Sequence, residues 1–276
     1  MTRLLYVAIF TPLMILAGCS DTIEQKPDTV TSVPQENNTD DTGASDLDAL
    51  RVSAEEGYAE AQFNLGEMYD SGDGVTQNYA EAMKRYRLAA EQGYAEAQFN
   101  LGEMYDNGDG VAQSYAEAMK WYRLAAEQGY AIGQNNLGGM YYNGNGVAQD
   151  YAEAMKWYRL AAEQYAGAQF NLGLMYYNGN GVARDYAEAM KWYRLAAERG
   201  DADAQLNVAV MYGSGEGVAQ DDAEAYTWCA VAAAGGHDEA NSLLDFAAKN
   251  LTPEELSQAQ QRATELFEKI ESGKEQ

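Results

Sequence analysis

The sequence predicts an all-α protein, a right-handed α-solenoid built from helix-turn-helix repeats. Three observations carry that reading. A unit of 36 residues recurs five times from Gly57 onward. Its second half is almost unchanged in three copies: residues 115–128 and 151–164 both read YAEAMKWYRLAAEQ, and residues 186–199 differ only at the last position. Within each unit, apolar residues recur at helical spacing between glycine-marked breaks. A fixed period of this size marks an array in which each unit buries its apolar side only against its neighbours.

The chain opens with Arg3 and an almost wholly apolar stretch over residues 4–16. The stretch is short for a transmembrane span and ends in small residues, so residues 1–18 are expected to be an export signal. Leu16-Ala17-Gly18-Cys19 resembles the lipobox of bacterial lipoproteins. That resemblance implies cleavage before Cys19 and a lipid anchor on Cys19. Ser20 at the next position implies the outer membrane, facing the periplasm, of a Gram-negative cell. Residues 19–46 are rich in Thr, Asp, Asn, Gln and Pro and poor in large apolar side chains, so they are expected to form a flexible tether.

Residues 47–251 carry the array: five full repeats with partial units at its ends. In the second repeat a first helix is expected over residues 94–105, with Ala97, Leu101, Met104 and Tyr105 on one side. Gly102 lies mid-helix, and Gly66, Gly138, Gly173 and then Ala209 stand at the equivalent positions. A glycine there costs about 1 kcal/mol against alanine, which points to a close backbone crossing. Gly108-Asp109-Gly110 ends the helix. Ser114 with Glu117 forms the signature of a capping box for the second helix, and Asn78, Asp150, Asp185 and Asp221 cap the other copies. Tyr115, Ala118, Met119, Tyr122, Ala125 and Ala126 make its packing face, widened by Trp121 and Leu124. Glu117, Lys120, Arg123 and Glu127 are left for solvent. Gly129 stops it. Residues 238–249 read as one more helix. Residues 252–276 read as a capping helix opened by Thr252-Pro253-Glu254-Glu255.

The pattern Ala-Gln-x-x-Leu-Gly-x-Met-Tyr-x-x-Gly-x-Gly-Val, followed by Tyr-x-x-Ala-x-x-Trp-Tyr-x-x-Ala-Ala-Glu-x-Gly, resembles the Sel1-like repeat, a relative of the tetratricopeptide repeat. The glycine expected between Gln164 and Tyr165 is missing, so that unit is one residue short. The junction is expected to be strained or reoriented. Some Sel1-like proteins pair two cysteines in every repeat, and a few of those are described as penicillin-binding or β-lactamase proteins. This chain lacks those cysteines, so a cell-wall or β-lactam hydrolase is the weakest reading.

Comparing the repeats with one another isolates a variable stripe on the first helices, spaced i, i+3, i+7, i+10. It reads Glu60, Phe63, Glu67, Asp70 in the first unit and Glu96, Phe99, Glu103, Asp106 in the second. Later units supply Tyr142, then Phe170, Leu174 and Tyr177, then Leu206. The resemblance to tetratricopeptide arrays implies that first helices line a concave groove, so these residues are the candidate partner-binding set. An acidic half and an aromatic half suit a segment with basic residues at one end and apolar anchors at the other.

The chain carries 43 acidic against 18 basic residues, for a net charge of −25. That argues against nucleic acid, which needs a basic footprint, and suits a partner with a basic surface. Apart from that partner a monomer is expected. Among the two cysteines, Cys229 is left without a mate if Cys19 is lipidated, and it reads as a buried small side chain. Asp70–Gly74 and Asp106–Gly110 have calcium-loop composition but no late glutamate at the required spacing. No metal site, cofactor or catalytic set emerges, and His237, the single histidine, reads as polar surface. The expected role is an interaction scaffold in the cell envelope. The alternative is an immunity protein that neutralises a periplasm-delivered toxic effector such as a phospholipase, as some Sel1-like lipoproteins do.

Overall fold

A computed structural model describes residues 42–274. The predicted signal peptide, Cys19 and most of the predicted tether lie outside the described residues. Residues 42–46, which the sequence assigns to the tether, belong to the helix Thr42–Glu55 (α1). The described residues are helical throughout and form consecutive helix-turn-helix pairs, the architecture of an α-solenoid. They fall into two compact units, residues 42–149 and 150–274.

The first unit continues with Ala59–Ser71 (α2), Tyr79–Glu91 (α3), Ala95–Asn107 (α4), Tyr115–Glu127 (α5) and Ala131–Asn143 (α6). Each helix packs on the next. Asn78 caps α3 by accepting from the Ala80 and Glu81 amides at 3.1 and 3.2 Å. Ser114 caps α5 at 3.4 Å through the Glu117 amide. The reciprocal arm of that capping box is not made. The Ser114 amide donates instead to the Tyr105 carbonyl at 2.8 Å, and Glu117 turns to Lys120. The first helix starts at Ala95, with Tyr94 in extended conformation as its N-cap, and ends at Gly108 in the left-handed region (φ 86).

Gly102 is not a backbone crossing. A Cβ there would stand 2.7 Å from Cδ1 of Tyr122, so the glycine makes room for an aromatic ring. Gly66 faces Tyr86 at the same 2.7 Å, and Gly173 faces Tyr193 at 2.5 Å. In the last repeat both partners change: Ala209 stands in place of glycine, and Cys229 in place of tyrosine. The two are buried in one core cluster. Cys229 is thus a space-matched core residue, as its sequence suggested, and burial pushes its thiol up to about 12.

Buried glutamines tie each helix pair to the one before. Gln62 Nε2 donates to the Ala54 carbonyl at 3.1 Å, and Gln98 repeats the bond to Ala90 at 3.0 Å. These carbonyls lie in the last turn of a helix, where they would otherwise lack a partner. Gln92 and Gln128 then donate to Gln62 Oε1 and Gln98 Oε1 at 2.8 and 2.7 Å. On the outside, Arg87 and Arg123 donate to the tyrosine hydroxyls of the following first helices, Tyr105 and Tyr141, at 2.6 and 2.7 Å. Arg123 is therefore a tie between repeats, where the sequence had left it to solvent.

The second unit comprises Tyr151–Ala161 (α7), Ala166–Asn178 (α8), Tyr186–Glu198 (α9), Ala202–Ser214 (α10), Asp222–Ala234 (α11), Asp238–Ala248 (α12) and Pro253–Lys274 (α13). Its last helix opens with the box that the sequence predicts. Thr252 and Glu255 complete both arms of the box: the Thr252 amide donates to Glu255 at 2.8 Å, and the Glu255 amide to Thr252 Oγ1 at 3.3 Å. The helix α13 lies along α11. The solvent-facing residues of the preceding copy, Lys191, Arg194, Leu195 and Glu198, become Thr227, Ala230, Val231 and Ala234 in α11. Val231 is fully buried, whereas Leu195 is 45% exposed. Arg262 and Glu224 close the seam at 2.9 Å.

Candidate functional site

The candidate stripe does not sit uniformly at the surface. In the first unit Glu60 and Glu67 are exposed, and Phe63, Asp70, Glu96, Glu103 and Asp106 are half-buried. Phe99 is buried at 6% exposure and Tyr142 at 9%. In the second unit Phe170, Leu174 and Leu206 are buried at 6%, 5% and 4%, and only Tyr177 is half-buried.

The reason is geometric. At about 100° per residue, positions i+3 and i+10 lie about 60° and 80° round from position i. They rotate toward the face that carries Gly66, where the second helix packs. Phe63 accordingly stacks on Tyr86 of its own repeat (5.8 Å between centroids) and on Tyr94 of the next (5.0 Å). Phe99 repeats this with Tyr122 and Tyr130 at 5.7 and 5.4 Å, and Phe170 packs on Tyr193 at 5.7 Å. These aromatics seal the seam between repeats. The expected set of free apolar anchors, Phe99, Tyr142, Phe170, Leu174 and Leu206, is corrected accordingly: their surface is spent on packing. Tyr177 is also engaged, since its hydroxyl donates to Glu216 at 2.7 Å and its ring meets Tyr186 at 4.9 Å.

What remains accessible is acidic and belongs to the first unit. Tyr86 Oη donates to Asp70 Oδ2 at 3.3 Å, and Tyr122 Oη to Asp106 Oδ2 at the same distance. The tyrosines that fill the glycine gaps thus hold the acids in place. Burial pushes both aspartates above the usual carboxylate range, and the tyrosine bonds pull partly back. Glu103 is the most perturbed. Burial, then the charges of Asp70, Asp106 and Asp109, push its carboxyl up to about 7. The sequence places Glu103 in the candidate partner-binding stripe, with nothing to mark its carboxyl as perturbed. Its burial between two repeats carries no local signal.

Among the described residues, no ion pair involves Glu60, Asp70, Glu96, Glu103 or Asp106. The lysines of the second helices pair with glutamates one turn away: Lys84 with Glu81, Lys120 with Glu117, Lys156 with Glu153 and Lys191 with Glu188. The second unit has a different polar contact on the stripe side, where Asp203 meets His237 Nε2 at 3.0 Å. His237, read from the sequence as polar surface, is mostly covered and sits at the N-cap of α12. Among the described residues, no group of three or more His, Cys, Asp or Glu is arranged to hold a metal ion. No helix of the described residues is long and apolar enough to cross a membrane.

The sequence model of the Sel1 repeat matches five consecutive segments, residues 59–94, 95–130, 131–165, 166–201 and 202–237. No curated protein matches the chain significantly. Among solved structures, c5321, a protective antigen of uropathogenic Escherichia coli with an SLR fold, is 40% identical with a TM-score of 0.71. The match covers 82% of this chain and 48% of the antigen, so this chain spans about half of that protein's length. A Sel1 repeat protein from Oxalobacter formigenes is 34% identical with a TM-score of 0.68, over 81% of this chain and 97% of the other. The immunity protein Pa5087 from Pseudomonas aeruginosa matches at 20% identity and a TM-score of 0.49, over 73% and 77%, too distant to bear on function.

The raised carboxyl of Glu103 sets a sign for pH dependence. Its folded value, about 7, lies above the ordinary glutamate value of 4.5, so the folded protein binds more protons between those limits. Stability contributed by the protonated group is therefore present below pH 4.5 and lost as pH rises through 7. Thermal unfolding of the full chain from pH 5 to pH 8 is expected to show a falling midpoint. Glu103→Gln is expected to flatten that slope and raise the midpoint at pH 8. Parallel slopes for the two proteins would show that Glu103 is not held in a charge-disfavouring position.

Proposed function

Because the chain belongs to the Sel1 repeat family, we propose that it is a non-enzymatic scaffold that holds a protein partner on the acidic first-helix face of residues 42–149. Sel1 repeat scaffolds are of a kind typical of protein–protein interaction. The observation that carries the reading is the set of half-buried carboxylates without counter-ions, Asp70, Glu96, Glu103 and Asp106, on one face of consecutive first helices. Burial and the charges of Asp70 and Asp106 disfavour the charged form of Glu103 in the free protein, and a partner's lysine or arginine side chain would relieve that. A cation placed beside Glu103 favours its charged form, so the same contact that binds the partner also removes the strain. Long-range attraction by a chain of net charge −25 speeds the encounter with a basic surface.

The partner in this reading is a protein with a basic segment. An immunity role is the special case in which that partner is a toxic effector. The sequence Leu16-Ala17-Gly18-Cys19 supports placement as a lipoprotein facing the periplasm from the outer membrane, with residues 20–41 as a spacer. Lipid on Cys19 would supply the anchoring that no described helix provides.

A photo-crosslinking amino acid at Glu96, on a first helix, is expected to capture a basic protein in cells, and the yield is expected to fall with added salt in lysates. The same group at Lys120, on the outer side of a second helix, is expected to capture little. Capture from Lys120 alone would move the partner to the outer face. For the anchor, Cys19→Ser is expected to abolish incorporation of labelled fatty acid and shift the protein to the soluble fraction. Unchanged membrane fractionation of that variant contradicts the lipoprotein assignment.

A further inference from the structure

The seam between α7 and α8 departs from the pattern of every regular seam in the array. At the regular seams a 13-residue second helix is followed by a left-handed glycine, Gly93 (φ 91), Gly129 (φ 88) or Gly200 (φ 88). The next first helix then starts from a residue at φ −69, −67 or −70. Where the glycine is missing, α7 stops after 11 residues, and Tyr165 starts α8 from φ −120. The chain crosses the gap by ending the helix early, with the Tyr165 amide donating to the Ala161 carbonyl at 2.8 Å.

Two further differences mark the same seam. The Tyr165 ring is displaced over the start of α8, where a Cβ at position 167 would lie 2.6 Å from its Cε1. Residue 167 is glycine, while the equivalent positions carry Glu60, Glu96, Ile132 and Asp203. The glutamine relay is also broken. Gln169 Nε2 still reaches the Ala162 carbonyl at 2.7 Å, but its buried Oε1 has no hydrogen-bond partner among the described residues. The position that serves this atom in other repeats is Arg199, which donates instead to the Glu163 carbonyl at 3.1 Å. A buried acceptor left without a donor weakens the seam it lies in.

We propose that the 162–165 junction is the built-in yield point of the array. The seam between α7 and α8 opens and recloses ahead of every regular seam. The α8–α9 pair stays intact when it does so, because Tyr193 keeps its seat on Gly173. Opening at one fixed place lets the array adjust its course around a bound molecule without unfolding a repeat.

Hydrogen exchange on the full chain tests this. Amides of residues 164, 165 and 169 are expected to exchange about tenfold faster than their counterparts at 92, 94 and 98 and at 128, 130 and 134. Insertion of one glycine between Gln164 and Tyr165 is expected to bring them to the rate of the regular seams. Equal protection at all seams in the unaltered protein overturns the proposal, as does an inserted glycine that folds normally and leaves the rates unchanged. If the insertion prevents folding, the comparison within the unaltered protein decides.

Discussion

The first, second and fourth repeats are each organised by the seat of one tyrosine ring against one glycine. Tyr86 on Gly66, Tyr122 on Gly102 and Tyr193 on Gly173 set how closely the two helices of a pair approach. The rings are almost fully buried, at 1%, 1% and 0% exposure, so a change of volume at either partner is felt by the other. The last repeat shows the same constraint in another form, with a larger residue, Ala209, matched by a smaller one, Cys229. The contact also reaches the surface. The hydroxyls of Tyr86 and Tyr122 end at Asp70 and Asp106, so the ring that fixes the packing also fixes two acids of the candidate face. In the later repeats those acid positions become Tyr142, Tyr177 and Gly213, and the acidic character ends there.

Much of this architecture was legible in the sequence because it is repeated. The period, the caps at Asn78, Ser114 and Asp185, the turn glycines and the Thr252–Glu255 box are local signals, and each does locally what its residue type favours. The interior glycines were legible as close approaches but not as seats for rings, because the partner lies twenty residues further along the chain. The docking of α13 was written in the swap of Lys191, Arg194, Leu195 and Glu198 for Thr227, Ala230, Val231 and Ala234, and is read most easily once the helix is seen on that side.

The candidate site was legible in half. Internal variation picked out one face of the first helices, and the structure groups its acids in the first unit. Variation alone could not separate an exposed position from one turned into a seam, and a single stripe of i, i+3, i+7, i+10 contains both. Phe63 and Phe99 differ from Glu60 and Glu96 by about 60° of helix rotation, enough to place the rings between tyrosines and leave the glutamates on the open side. In the proposed reading, this face recognises a partner through charge held on an aromatic frame, with the apolar groups contributing position.

The central claim is that the glycine–tyrosine seat governs the spacing of the helix pairs that carry it. A double-mutant cycle at positions 102 and 122 of the full chain, read by urea unfolding, tests it most directly. The account predicts that Gly102→Ala costs about 1–3 kcal/mol with tyrosine at 122, because the added methyl overpacks a filled site. With Tyr122→Cys, the pairing already present at 209 and 229, the same substitution is predicted to be neutral or stabilising, since alanine favours the helix by about 1 kcal/mol. An equal effect of Gly102→Ala in both backgrounds would contradict the account.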